Sequence, residues 1–199
     1  MKRPQTIRSM LVMGKRIATG GAPEVAALLS GHPRKAGQVV ECLWDKDLGV
    51  ANRAADALER ASCGNPKLLT PWKDALLSRM ADATENKLRW NLALMIPRVE
   101  LTIADTERAA GVLRSWLDDQ SSIVKTSAMH GLVGLTRWNP TMLPEVLDML
   151  RILSRSGTPA MRARGRILLK RLEAGRQPSM TFNNAPKPAG KTMQALRYG

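Results

Sequence analysis

Four nine-residue segments align without gaps along this chain: VANRAADAL from Val50, LRWNLALMI from Leu88, VKTSAMHGL from Val124 and MRARGRILL from Met161. Their starts lie 38, 36 and 37 residues apart. A period in this range constrains a fold strongly, because each unit must be one supersecondary element that hides its apolar side only against its neighbours. The first position is always apolar (Val50, Leu88, Val124, Met161). The fifth carries Ala54, Leu92, Ala128 and Gly165, and the ninth Leu58, Ile96, Leu132 and Leu169. Spacing of i, i+4, i+8 puts these side chains on one face of a helix. The small fifth residues predict close helix crossings, with Ala54 and Ala128 almost fully buried.

A second apolar helical face lies between successive segments. Val39, Val40, Leu43 and Trp44 form the first, then Leu76, Leu77 and Met80, then Val112, Leu113, Trp116 and Leu117, then Val146, Leu147, Leu150 and Leu153. Only seven or eight residues separate the end of each from the next repeated segment, which leaves room for a tight turn. Asp47, Thr84, Ser121 and Thr158 stand where N-caps are expected. Thr70-Pro71 and Thr158-Pro159 each read as a cap followed by proline at the first helical position. Pro97 should close the helix before it. The spacing predicts helices over about 5–18, 24–30, 35–45, 48–61, 71–82, 86–96, 106–118, 122–135, 142–155 and 159–174, with no strand. Composition agrees: aromatics are 4% of the chain, and the core must come from Leu, Ala, Val, Ile and Met, a helix-leaning set.

The motifs DLGVANRAADAL and DDQSSIVKTSAMHGL resemble those of HEAT-like repeats, of the armadillo type, over roughly residues 35–174. The resemblance implies an all-α, right-handed α-α superhelix, a solenoid of about four to five helix pairs. On this reading residues 1–176 form the repeat domain, with 1–34 a degenerate N-terminal capping pair. Residues 177–199, rich in Gln, Pro, Asn, Lys and Gly, form a basic disordered tail.

Charge is segregated. The chain carries +14 overall. Residues 1–35 contribute seven basic groups against Glu24, and residues 156–199 nine against Glu173, while residues 36–155 hold fifteen of each sign. Ends of this kind point to polyanion contact. Arg162, Arg166 and Lys170 recur every four residues, predicting one exposed stripe, with Lys187 and Lys191 as further contacts in the tail. The helices between the repeated segments, taken as the inner ones, carry mixed signs: Lys73, Asp74 and Arg79; Glu107, Arg108, Arg114 and Asp118; Glu145, Asp148, Arg151 and Arg155. A mixed surface suits a protein partner better than a nucleic-acid duplex.

No constellation in the sequence points to catalysis, a cofactor or a metal. Cys42 and Cys63 have no CxxC spacing, and His32 and His130 are the only histidines. Gly20-Gly21 lacks the Lys-Ser/Thr of a phosphate-cradling loop. Asp118-Asp119 reads as a solvated turn, His130 as half-buried packing, and most of the five tryptophans as packing between repeats. Alkylpurine DNA glycosylases share this repeat type, and the chain is similar to them in architecture only, so none of their residues transfers. The expectation is a non-enzymatic cytoplasmic scaffold for a protein partner. The alternative is a nucleic-acid-binding protein, of DNA-repair type, that uses its basic ends. No apolar run is long enough for a membrane span.

Overall fold

The structure, a computed structural model, describes residues 6–12 and 20–175. Among the described residues it is all-helical, with ten α-helices: α1 (Ile7–Val12), α2 (Ala22–Gly31), α3 (Ala36–Glu41), α4 (Leu48–Gly64), α5 (Lys73–Ala81), α6 (Asn86–Met95), α7 (Ile103–Ser115), α8 (Ser122–Leu135), α9 (Leu143–Ser156) and α10 (Pro159–Glu173). None of them is long and apolar enough to cross a membrane. The tail with Lys187 and Lys191 lies outside the described residues.

The repeated segments all fall on even-numbered helices, and these pack in series: α2 on α4, α4 on α6, α6 on α8, α8 on α10. The odd-numbered helices lie behind them, with α3 against α4, α7 against α8 and α9 against α10. Val50, Leu88 and Val124, the first repeat positions, are fully buried, as are Ala54 and Ala128. They join one continuous apolar core that runs from Ile7 to Leu168. Fully burying each large aliphatic side chain contributes about 1.5–3 kcal/mol.

A tight contact between α6 and α8 falls at Gly131, three residues beyond the buried Ala128. A Cβ on Gly131 would stand 2.7 Å from the Ala93 carbonyl oxygen and 2.8 Å from a Leu113 methyl. Gly165 is similarly confined, 3.1 Å from Ser154 Cβ and 3.3 Å from the Leu150 carbonyl oxygen. Two of the expected caps form: Asp47 accepts from the N–H groups of Gly49 (2.8 Å) and Val50 (3.4 Å), and Thr158 from Met161 (3.3 Å). Thr84 does not cap; its hydroxyl turns to Glu85, which occupies the N-cap position. Ser121 holds the cap position of α8 without a side-chain bond, and its own N–H donates to Asp119 Oδ1 at 2.7 Å. The unforeseen cap is Thr102, which forms a reciprocal capping box with Asp105 at the start of α7.

Thr70-Pro71 does not start a helix. Both residues sit inside a 3-10 segment, Pro66–Trp72, and α5 begins at Lys73. A cap must leave the helical region, as Thr158 does before Pro159 opens α10, whereas Thr70 lies within the 3-10 turns themselves. Pro97 behaves as expected: α6 stops at Met95 and passes into a 3-10 turn, Ile96–Arg98.

Two glycine substitutions separate crowding from propensity. Gly131→Ala should cost about 1–3 kcal/mol, since the obstructing carbonyl belongs to a packed backbone. Gly111→Ala, on α7 with nothing within 4 Å of the new methyl, should stabilise by about 0.5–1 kcal/mol. Urea unfolding of both variants measures the difference.

Candidate binding face of the repeated helices

With positions 1, 5 and 9 of each repeat facing the core, positions 3, 4, 7 and 11 fall on the other side of the even-numbered helices. Position 3 holds Asn52, Trp90, Thr126 and Ala163; position 4, Arg53, Asn91, Ser127 and Arg164. Position 7 holds Asp56, Leu94, His130 and Ile167; position 11, Arg60, Arg98, Gly134 and Arg171. The face thus carries Arg53, Arg60, Arg98, Arg164 and Arg171 against Asp56 alone.

The face is open at its two ends and closed in its middle. Asn91, Leu94 and Arg98 on α6 and its flank are buried, as are Thr126, Ser127, His130 and Gly134 on α8. His130 is only 2% exposed, so it is a core group rather than the half-buried one expected. Arg98 is folded into the structure: Nη1 donates to the Glu59 carbonyl and to Ser62 Oγ, each at 2.7 Å, and Nη2 donates to the Glu59 carboxylate. Exposed charge remains at one end on Arg60 and Lys87, with Arg53 half-buried, and at the other on Arg137, with Arg164 and Arg171 half-buried. Arg166 and Lys170 are exposed on another side of α10; the equivalents of Arg166 in the earlier repeats, Ala55, Ala93 and Met129, are buried.

The predicted stripe on α10 is therefore shorter than expected. Arg166 and Lys170 are exposed, but Arg162 is half-buried and donates from Nη1 to the Gly157 carbonyl at 2.8 Å. It closes the turn before its own helix. Arg89, at the same second repeat position, does similar work, donating to the Ala83 carbonyl (2.8 Å) and to Asp119 Oδ2 (2.6 Å). The Asp119 side chain is only 4% exposed. Asp118 is exposed as expected, but Asp119 forms an interlock between repeats, with Arg89 also 5.9 Å from the Trp116 ring centre.

Part of the mixed charge on the odd-numbered helices is paired along that row. Lys73 of α5 donates to Asp105 of α7 at 2.7 Å. Arg114 of α7 makes a bidentate pair with Glu145 of α9 at 2.8 and 2.9 Å. The Lys73 ammonium, followed by the Thr102 hydroxyl, holds the Asp105 carboxyl below the usual carboxylate range. None of the ion pairs named so far involves α10.

At the first end of the face, a cleft of about 170 Å³ opens between α4 and α6, lined by Gly49, Asn52, Arg53, Asp56, Arg60, Lys87, Trp90 and Asn91. Asn52 Oδ1 and Trp90 Nε1 are buried there without a hydrogen-bond partner among the described residues. Asp56 Oδ1 accepts from Arg60 Nε at 2.8 Å, while burial pushes its carboxyl upward. Asn91 Nδ2 is satisfied by the Lys87 carbonyl at 2.8 Å. This cleft was not anticipated, although the same repeat alignment contains it. Reading the polar third, fourth and seventh positions as well as the apolar ones would have placed Asn52, Arg53, Asp56 and Trp90 on one surface.

A larger groove, about 660 Å³, runs between the end of α8, the start of α9 and the end of α10, walled by Arg137, Leu143, Leu147, Arg151 and Leu172. No buried polar atom without a partner lies among its lining residues. The other tryptophans pack or brace: Trp116 is buried, Trp138 Nε1 donates to the Pro97 carbonyl at 2.9 Å, and Trp72 seats against Gly37. Trp44 is the exposed one at 47%, under Arg79. Both cysteines are free thiols, and no group of three potential metal ligands occurs among the described residues.

The two kinds of ion pair should differ in energy. Arg98→Met strands the Glu59 carboxylate, 13% exposed, and should cost about 3–5 kcal/mol. Arg114→Met breaks an exposed pair and should cost about 0.2–1 kcal/mol. Chemical denaturation at neutral pH distinguishes them.

No family model matches the chain, and no curated protein matches it. Among solved structures it is similar to the crystal structure of an engineered protein, a Northeast Structural Genomics Consortium target, with a TM-score of 0.55 and 15% sequence identity. The likeness covers 85% of this chain and 80% of that one. At that identity it concerns the fold alone.

Proposed function

We propose that the chain is a HEAT-like helical solenoid and acts as an interaction module without a catalytic centre of its own, holding an acidic protein partner. Series packing of the even-numbered helices supports the solenoid reading, because each repeat then meets only its neighbours. Those helices are also the more closely packed row, with contacts as tight as Gly131 on Ala93. In a curved stack the more closely packed row takes the shorter, inner side. This reverses the assignment drawn from sequence, where the odd-numbered helices were taken as inner.

One observation carries the choice of partner. Lys73 and Arg114 of the odd-numbered row are neutralised in cross-repeat pairs with Asp105 and Glu145, whereas the even-numbered face keeps Arg60, Lys87 and Arg137 exposed. Complementarity with an acidic surface follows, and it acts mainly on association rate and specificity. The mixed sign of the odd row, a reason in the sequence to favour a protein partner, is in part internal bracing. The second reading, nucleic acid bound at the basic ends, is favoured by Arg166 and Lys170, which stand one turn apart on α10.

A salt series separates the two readings. On the nucleic-acid reading the full chain binds a single-stranded oligonucleotide with an affinity that falls steeply with salt. Arg166→Glu with Lys170→Glu then reduces the slope of log K against log salt by about 1–2, an increment of about 0.7–0.9 for each phosphate no longer neutralised. Undetectable oligonucleotide binding by the wild type at 50 mM salt, a condition set at roughly the low end of the usual range, removes that reading and leaves the acidic protein. The double variant should melt as the wild type does, since both side chains face water.

A further inference from the structure

We propose that the cleft between α4 and α6 is a binding site for a phosphoryl group. The inference is independent of which macromolecule the even-numbered face holds. It starts from the two polar atoms that the fold encloses and leaves without partners, Trp90 Nε1 and Asn52 Oδ1. Native proteins rarely leave such groups unmatched, and each one calls for an explanation. Indole nitrogen can only donate, so whatever satisfies Trp90 must bring an acceptor. The Asn52 amide makes no hydrogen bond among the described residues. A half-turn of that amide exchanges its oxygen and nitrogen at little change in shape, so it can set an N–H beside the indole.

Charge then selects the class of ligand. Arg53, Arg60 and Lys87 line the cleft with Asp56 as the only acid, and Asp56 is paired with Arg60. An ammonium or guanidinium ligand would meet net repulsion, and an apolar one would leave both buried polar atoms unmatched. Arg53 is also fixed in place. Its Nε donates to the Leu11 carbonyl, and its two terminal nitrogens lie 3.0 and 3.1 Å from where a Cβ on Gly49 would stand. Glycine at position 49 admits the guanidinium into that space, and the planar fork is preorganised for oxyanions.

Size and number of acceptors favour phosphoryl over carboxylate. Trp90, Asn52 and the terminal nitrogens of Arg53 can donate into the cleft, with the Arg60 and Lys87 charges at its rim. A carboxylate brings two oxygens, whereas a phosphoryl group brings three or four in tetrahedral array. The 170 Å³ of space exceeds the roughly 30 Å³ share of one water several-fold. That accommodates a phosphate with one substituent. Bound phosphate can be free, carried on a small ester, or part of a nucleic-acid backbone. The chemistry recognised is the same.

The test uses the indole N–H resonances of the full chain, one for each of five tryptophans, with Trp90→Phe identifying the relevant peak. Inorganic phosphate, glycerol phosphate and a single-stranded oligonucleotide are titrated separately at constant ionic strength, with acetate as a fourth arm. The Trp90 peak should move saturably with at least one phosphoryl probe while the other four peaks stay in place. Saturation by phosphate or its glycerol ester identifies a small ligand; saturation by the oligonucleotide alone identifies a backbone phosphate. Asn52→Leu should weaken the response at least tenfold without lowering the melting temperature, because it replaces an unmatched amide by an apolar group of similar size. Lys87→Gln, on the exposed rim, gives a second reading of the same loss if Asn52→Leu does not fold. The proposal is overturned if no phosphoryl probe moves the Trp90 peak, if acetate moves it equally, or if folded Asn52→Leu or Lys87→Gln responds as the wild type does.

Discussion

Close contact between successive even-numbered helices is the constraint on which the rest of this structure depends. Helices can approach this closely only where a side chain is missing or minimal, and the chain supplies such residues on α4 and α8. Ala54 and Ala128 are fully buried, and Gly131 leaves no room for a methyl beneath the Ala93 carbonyl; Gly165 plays the same part between α10 and α9, over Ser154 and the Leu150 carbonyl. Larger residues at those points would push the row apart and open the core between the rows, where Leu58, Leu88, Leu92 and Leu113 are fully buried. Interiors of this density do not absorb such displacement gradually.

Electrostatics follows from the same geometry. Stacking repeats at a fixed period brings equivalent positions of successive helices side by side, and the odd-numbered row uses this to pair Lys73 with Asp105 and Arg114 with Glu145. Arg89 and Asp119 lock the turns in the same manner. Carboxylates committed to those contacts are not available to the even-numbered face, so its ends stay positive. The neutral total over residues 36–155 therefore conceals a separation of charge between the two sides of the stack. Summing charge by segment cannot see that separation, because alternate helices contribute to opposite sides.

The fold was largely legible because its signal is periodic and local. Apolar residues at i, i+4 and i+8 located α4, α6, α8 and α10, and Asp47, Thr158 and Pro97 marked boundaries by chemistry that acts within a few residues. Failures came where the deciding contact is distant in sequence. Asp119 looked solvated until Arg89, thirty positions earlier, was placed against it. His130 looked amphipathic until the helices on either side of α8 enclosed it. The cleft was missed because Asn52 and Trp90 are each ordinary when taken alone. Only the 38-residue period sets them at the same repeat position on neighbouring helices.

The central claim is that recognition uses the open ends of the even-numbered face and not the braced odd-numbered row. Hydrogen–deuterium exchange of the full chain, with and without heparin as a generic polyanion, tests it most directly. Protection confined to peptides covering residues 52–60, 87–91 and 164–171 is the result predicted. Protection centred on α5, α7 and α9, or spread evenly over both rows, would contradict it.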